Sequence, residues 1–206
     1  ATNNRLFVSN YTGNRVTVFD VTAITDGENA VDLLGQYDET SFTDPQPVYT
    51  KSGANNGANQ FGVSAPIFLE IDTVRHRLFV TDITNSRILV YNLNSDNTLP
   101  DRVPDNVLGQ PNFYTSTAAT TAAGMSGPRG IAYDAANDRL FVTDRSNNRV
   151  LVYDVASISN GENACSVLGQ TDFTTAGGST SQSKLSGPQD LAYDAANSRL
   201  FVADLN

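Results

Sequence analysis

Arg5-Leu6-Phe7-Val8 returns as Arg77-Leu78-Phe79-Val80, Arg139-Leu140-Phe141-Val142 and Arg199-Leu200-Phe201-Val202. The intervals between these four arginines are 72, 62 and 60 residues, a period that marks a repeated supersecondary unit. Each copy leads into a polar turn, and after the first three an arginine opens a second apolar run, as in Arg149-Val150-Leu151-Val152-Tyr153-Asp154. Ahead of the later three copies stand proline-led segments at residues 66–72, 128–134 and 188–194. Proline at the first position of a strand removes no ladder hydrogen bond. Ala135-Ala136-Asn137-Asp138 has the composition of a hairpin turn. A fourth segment ends in Leu-Gly-Gln at residues 34–36, 108–110 and 168–170, and an aromatic follows at Phe42, Phe113 and Phe173.

The apolar runs are continuous. Val150 and Val152 point to one side of a strand, Leu151 and Tyr153 to the other, so both faces of each sheet are expected to be buried. Antiparallel hairpins covered on both faces require sheets stacked on sheets. Four strands per unit, repeated radially, make a β-propeller. The expected class is all-β, with four-stranded antiparallel blades and about three blades' worth of chain. The units are a partial blade at 1–64, blades at 65–126 and 127–186, and a partial blade at 187–206. The linking loops at 37–64, 111–126 and 171–186 are rich in Thr, Ser, Ala and Gly. They are expected to pack loosely over the propeller edge.

Gly127-Pro128-Arg129-Gly130-Ile131-Ala132-Tyr133-Asp134, then Arg139 to Asp144, then Asn148 to Asp154 resemble the NHL repeat, with three strands matching in order. The resemblance covers nearly all the chain and is weakest in the loops after the fourth strands. It implies a propeller, most often six-bladed, and six blades at this period need nearly twice the present length. Propellers have 4–8 blades, so three do not close a ring. Two readings follow: the chain belongs to a longer propeller, or two copies join head to tail into a six-bladed ring, or more into a filament. Either way the strand edges serve in assembly.

Composition narrows the partners. The net charge is −9 with a pI near 4.4, and Lys51 and Lys184 are the only lysines. Such a surface repels nucleic acid and anionic membranes. Neither is expected as a partner. Cys165 stands alone in an apolar run and is expected to be a small buried hydrophobe. The Asn-, Thr-, Ser- and Gly-rich, lysine-poor composition is that of a secreted bacterial protein, extracellular or periplasmic.

Three constellations have two readings each. Asp82 and Arg87, Asp144 and Arg149, and Asn10 and Arg15 stand five apart, and Asp204 starts a fourth instance. They are either a ring of ligands for a cation, or turn caps with arginines that clamp the next blade. Recurrence in every unit favours the clamp. His76, between Arg75 and Arg77 in a hairpin turn, is expected to be solvated rather than catalytic. Asn10-Tyr11-Thr12 is a glycosylation sequon in form only. No metal site, cofactor or nucleophile–base pair is expected.

The positions that vary between otherwise matching units are the better candidates for binding. These are Phe68, Arg129 with Gly130, and Gln189 with Asp190 at the first-strand starts, and Tyr11, Ile83 and Arg145 in the tight loops. The expected function is a non-enzymatic, extracellular binding or structural scaffold that takes a protein or small-molecule ligand on its loop face. The alternative is part of a propeller enzyme of the lyase or lactonase kind, with its catalytic residues outside this chain.

Overall fold

The computed structural model describes residues 4–40, 45–54 and 57–205. Phe42, Thr43, Asp44, Asn55 and Asn56 lie outside the described residues. Four antiparallel sheets follow one another along the chain. The first holds β1 (Arg5–Asn10), β2 (Arg15–Asp20) and β3 (Asp32–Leu34). The second holds β4 (Leu69–Asp72), β5 (Arg77–Asp82), β6 (Arg87–Asn92) and β7 (Asn106–Leu108). The third holds β8 (Pro128–Asp134), β9 (Arg139–Asp144), β10 (Arg149–Asp154) and β11 (Ser166–Leu168). The last pairs β12 (Pro188–Asp194) with β13 (Arg199–Asp204). One turn of 3-10 helix, Arg145–Asn147, is the sole helical element among the described residues.

Each sheet is a meander in sequence order, and these are the expected propeller-like blades. Their two-faced burial follows residue by residue. On β5, Leu78 and Val80 enter the core shared with the first sheet, while Phe79 enters the core shared with the third. On β10, Leu151 and Tyr153 face back to the second sheet, and Val150 and Val152 face forward to the last. Each large apolar side chain so buried contributes roughly 1.5–3 kcal/mol, and most sit at the junctions. Blade-to-blade packing therefore holds the fold together.

The first strand of the second blade departs from expectation. It starts at Leu69, not at Pro66. Thr81 Oγ1 accepts hydrogen bonds from the amides of Ile67 and Phe68, at 3.3 and 2.9 Å, where ladder carbonyls would otherwise serve. The same irregularity survives as a register shift between Pro128 and Ile131 in β8 and between Pro188 and Asp190 in β12. Upstream, Ala65 has φ +58°, where the other units place Gly127 and Gly187.

Candidate functional site

One end of the blades gathers the first-strand starts, the loops between second and third strands, and the linking loops. Pro128 is paired with Asp144, and Ser146 donates its amide to the Ser126 carbonyl at 3.1 Å. The repeated Asp and Arg sit just beneath this end. Asp82 faces Arg87 and Asp144 faces Arg149 in register, and all four side chains are fully buried. Arg87 Nε donates to Asp82 Oδ2 at 2.7 Å. Its other nitrogens donate to the carbonyls of Phe113 at 2.5 Å, Asn59 at 2.9 Å and Gly62 at 3.0 Å. Arg149 repeats the pattern on Asp144, Phe173, Thr121 and Gly124. Burial pushes the Asp82 carboxyl up, opposed by Arg87 and by hydrogen bonds from Asn85 and Ser64. The arginines grip the linking loops on both sides of their own blade, and each carboxylate holds its arginine and accepts from the loop amide of Ser64 or Ser126.

The Leu-Gly-Gln motif completes that grip. Gln36, Gln110 and Gln170 each donate from Nε2 to the second-to-third-strand loop, at Asn14, Ser86 and Asn148, and to the linking loop, at Gly53, Thr117 and Gly177. The preceding glycine is required. Gly109 has φ +84°, and a Cβ there would stand 2.6 Å from Met125. The linking loops are thus pinned rather than loosely packed, since Arg and Gln hold their carbonyls and Phe113, Val63 and Met125 are buried beneath them.

The predicted site residues distribute unevenly. Arg129 Nη1 donates to Gln189 Oε1 at 2.8 Å, joining the first strands of the third and last sheets. Gly130 approaches so closely that a Cβ would lie 2.6 Å from the Asp190 Cα. Asp190 is exposed and accepts from the Leu191 amide. Arg145 opens the 3-10 turn, which packs against β8. Arg129, Gly130, Gln189 and Asp190 meet at one junction, and Arg145 stands in the turn of its own blade. Phe68 is half-buried and packs into the core between the second and third sheets. Tyr11, on the first sheet, is exposed.

Glu70 carried no expectation. It is the cross-strand partner of Phe79, so it points into the layer between the second and third sheets. Burial alone pushes its carboxyl up to about 7. The signal was present in the sequence, because Ala132 and Ala192 fill this position in the other units.

Two minor expectations change. Cys165 is exposed, because Ala164 fills the core and Cys165 stands on the outer edge, its Sγ 3.2 Å from the Val152 carbonyl. It is expected to react fully with maleimide in the folded protein, counted by intact mass. Labelling only after unfolding would contradict that placement. His76 is half-buried, with Nδ1 2.8 Å from Asn97 Oδ1. Asn10 caps its own turn as expected, accepting from the Gly13 amide at 2.8 Å. Among the described residues no group of three or more His, Cys, Asp or Glu is placed to hold a metal ion. Among the same residues no helix is long and apolar enough to cross a membrane.

Sheets of this order and packing define a propeller built of repeats. Residues 125–153 match the NHL repeat, so the chain carries the repeat that its sequence resembles. No curated protein matches the chain. Among solved structures it is similar to an auxiliary nutrient binding protein from Bacteroides thetaiotaomicron, at 13% identity and TM-score 0.59. That match covers 98% of this chain and 43% of the other. An auxiliary nutrient binding protein from Bacteroides ovatus gives 11% identity and TM-score 0.57, over 98% and 43%. A putative phosphatase from Bacteroides thetaiotaomicron gives 13% and 0.56, over 98% and 44%. At such identities the likeness is one of fold, and the chain spans less than half the length of each.

Proposed function

We propose that this protein is a non-enzymatic NHL-type propeller that works as a binding or structural scaffold outside the cytoplasm. Its ligand or partner docks on the loop face carrying Tyr11, Arg129, Arg145, Gln189 and Asp190, and its outer blades join further blades into a ring of six. The engagement of the repeated carboxylates supports the non-enzymatic reading: Asp82 and Asp144 are committed to Arg87, Arg149 and the loops. The similarity to proteins described as nutrient binding supports a binding role.

The observation that carries assembly is the contrast between equivalent residues. Leu78 and Val80 are fully buried, whereas Leu6 and Val8 are 50% and 38% exposed on the outward face of the first sheet. At the opposite end Phe201 is 57% exposed where Phe141 is buried. Leu168 borders an open cleft of about 400 Å³, with Leu185 and Val202 across it. These are unpaired halves of one repeating interface.

Light scattering on the 206-residue chain tests this. A mass of at least twice 22.1 kDa is expected, and Leu6→Glu with Phe201→Glu is expected to abolish the association. A stable, monodisperse monomer of the unaltered chain would overturn assembly by these faces.

A further inference from the structure

Two copies of this four-sheet chain bring eight sheets, so a ring of six requires the last sheet of each copy to merge with the first sheet of the other. The strands allow this with one to spare. The last sheet supplies the first and second strands of a blade, β12 and β13, and the first sheet supplies a second, third and fourth, β1, β2 and β3. The duplicated strand is nearly one sequence twice over: Arg5-Leu6-Phe7-Val8-Ser9-Asn10 in β1 and Arg199-Leu200-Phe201-Val202-Ala203-Asp204 in β13. Beside β2, either one makes the same ladder.

The two differ where it matters, at the last residue. Arg15 lies opposite Asn10, whereas Arg87 and Arg149 lie opposite Asp82 and Asp144. Arg15 Nε is buried and meets no acceptor among the described residues. Asp204 is the converse. It accepts from the Ser186 amide at 2.8 and 2.9 Å, as its counterparts do from Ser64 and Ser126, but no arginine pairs with it among the described residues. The first sheet holds a base without its acid, and the last sheet an acid without its base.

A second match is independent of that pair. Residues 155–164, between the third and fourth strands of the third blade, return as residues 21–30 of the first sheet, with six of the ten positions identical. Gly161 and Gly27 hold the same turn, at φ +70° and +76°. The third blade's copy latches onto the outer edge of the second blade. Asn160 Oδ1 accepts from the Val107 amide at 3.0 Å, Gly161 donates to the Val107 carbonyl at 3.1 Å, and Ile158 packs into the shared core. The first sheet's copy is undocked: Ile24 is 79% exposed, and Asp26 and Gly27 are exposed with it. An edge of the matching kind is open at β11, which pairs with β10 alone among the described residues. Val167 stands opposite Leu151 there as Val107 stands opposite Leu89. Leu168 is 45% exposed where Leu108 is fully buried.

We propose that two copies of this chain exchange strands: β13 of one displaces β1 of the other and pairs with its β2, setting Asp204 against Arg15, while residues 21–30 of that second copy latch onto β11 through Asp26 and Gly27. The proposal rests on the reading that the end blades join further blades. Each copy then contributes three complete blades, and two copies make six. Asp26, in the place of Asn160, keeps the acceptor and adds charge, which strengthens the bond from the Val167 amide. The bonds lost between β1 and β2 are replaced in kind. The gains are the ion pair, the latch, and cover for Phe201, which takes the place of Phe7 against the second blade. Exchange of an identical element between copies is a low-cost route to a dimer.

The test uses the 206-residue chain. With Cys165→Ser removing the native thiol, Asp26→Cys and Ser166→Cys are introduced together, because the side chains of their counterparts, Asn160 and Asn106, meet at 3.4 Å. Mild oxidation is expected to give a covalent dimer whose linked peptides join position 26 of one copy to position 166 of the other. Arg15→Glu and Asp204→Arg are each expected to weaken association at least tenfold by sedimentation, and the two together to restore most of it. Leu6→Glu alone is expected to leave association intact, since exchange takes β1 out of the joint. Three results overturn the exchange: association without the 26-to-166 link, association unchanged by both charge variants, or association lost in Leu6→Glu. The last would leave assembly standing as a stack of the two exposed faces. A stable monomer of the unaltered chain would overturn both readings.

Discussion

Arg87→Ala is expected to destabilise the protein by about 3–5 kcal/mol, whereas Arg15→Ala, at the same position of the first sheet, is expected to cost about 1 kcal/mol or less. The contrast comes from what each arginine leaves behind. Removing Arg87 strands a fully buried Asp82 carboxylate and frees the carbonyls of Phe113, Asn59 and Gly62. Arg15 faces Asn10, which is uncharged, and is itself only half-buried. It donates to the Tyr49 carbonyl at 2.8 Å, and its Nε is buried without an acceptor among the described residues. Urea denaturation of the two variants beside the parent measures the difference through the midpoints. Similar losses for both would mean that the buried pair adds nothing beyond its hydrogen bonds to the loops. Replacing the pair together, as Asp82→Leu with Arg87→Met, is expected to recover only part of the loss. The stranded charge disappears, but the loop carbonyls remain without donors.

That pair also shows how far the sequence could be read. Recurrence of Asp and Arg five apart in successive units pointed to a structural clamp, and the two central blades build one. The object clamped was not legible. Side chains at fixed spacing within a hairpin declare themselves through repetition. The carbonyls of Asn59, Gly62 and Phe113 are backbone groups in loops of unlike sequence and length. Leu-Gly-Gln was visible as a motif three times over, but its purpose depends on the close approach of Val63, Met125 or Leu185 to the glycine. Those three residues look unrelated along the chain. Continuous apolar runs gave both buried faces correctly, because strand alternation needs no knowledge of the neighbour. The exposure of Cys165 depended on one residue of phase at the start of a three-residue strand. Of the varied positions chosen as candidates, Arg129 with Gly130 and Gln189 with Asp190 meet at one junction because first strands of adjacent blades lie side by side there, while Arg145 stands in the turn of its own blade. Phe68 instead joins the core beneath, and Tyr11 stands on another blade.

Glu70→Gln and Glu70→Ala are expected to make the protein more stable than the parent by about 2 kcal/mol at pH 8, with the advantage vanishing near pH 4. Glu70 enters the layer between the second and third blades beside Phe68 and Phe79, and burial raises its carboxyl from the ordinary 4.5 to about 7. In the unfolded chain the group loses its proton near 4.5, and in the folded protein near 7. Between those values the folded state holds a proton that the unfolded state has released, so stability falls as pH rises through this window. Below it both states are protonated and above it both are ionised, so the contribution is flat on either side. The full shift corresponds to about 3.4 kcal/mol, and partial access to water reduces this to about 2 kcal/mol. Asp72, further along the same strand face, is paired with Arg77 and supplies no counter-charge to Glu70. Other groups titrate across the same range, so the informative quantity is the difference between parent and variant, measured by urea denaturation at each pH from 4 to 8. Alanine is the residue this position holds in the other units, at Ala132 and Ala192, and is expected to fit without strain. A parent-minus-variant difference that stays constant across the range would show that Glu70 titrates alike in the folded and unfolded states, with no shift from burial. A difference that closes toward acid would make the junction of the second and third blades tighter at mildly acidic pH than at alkaline pH.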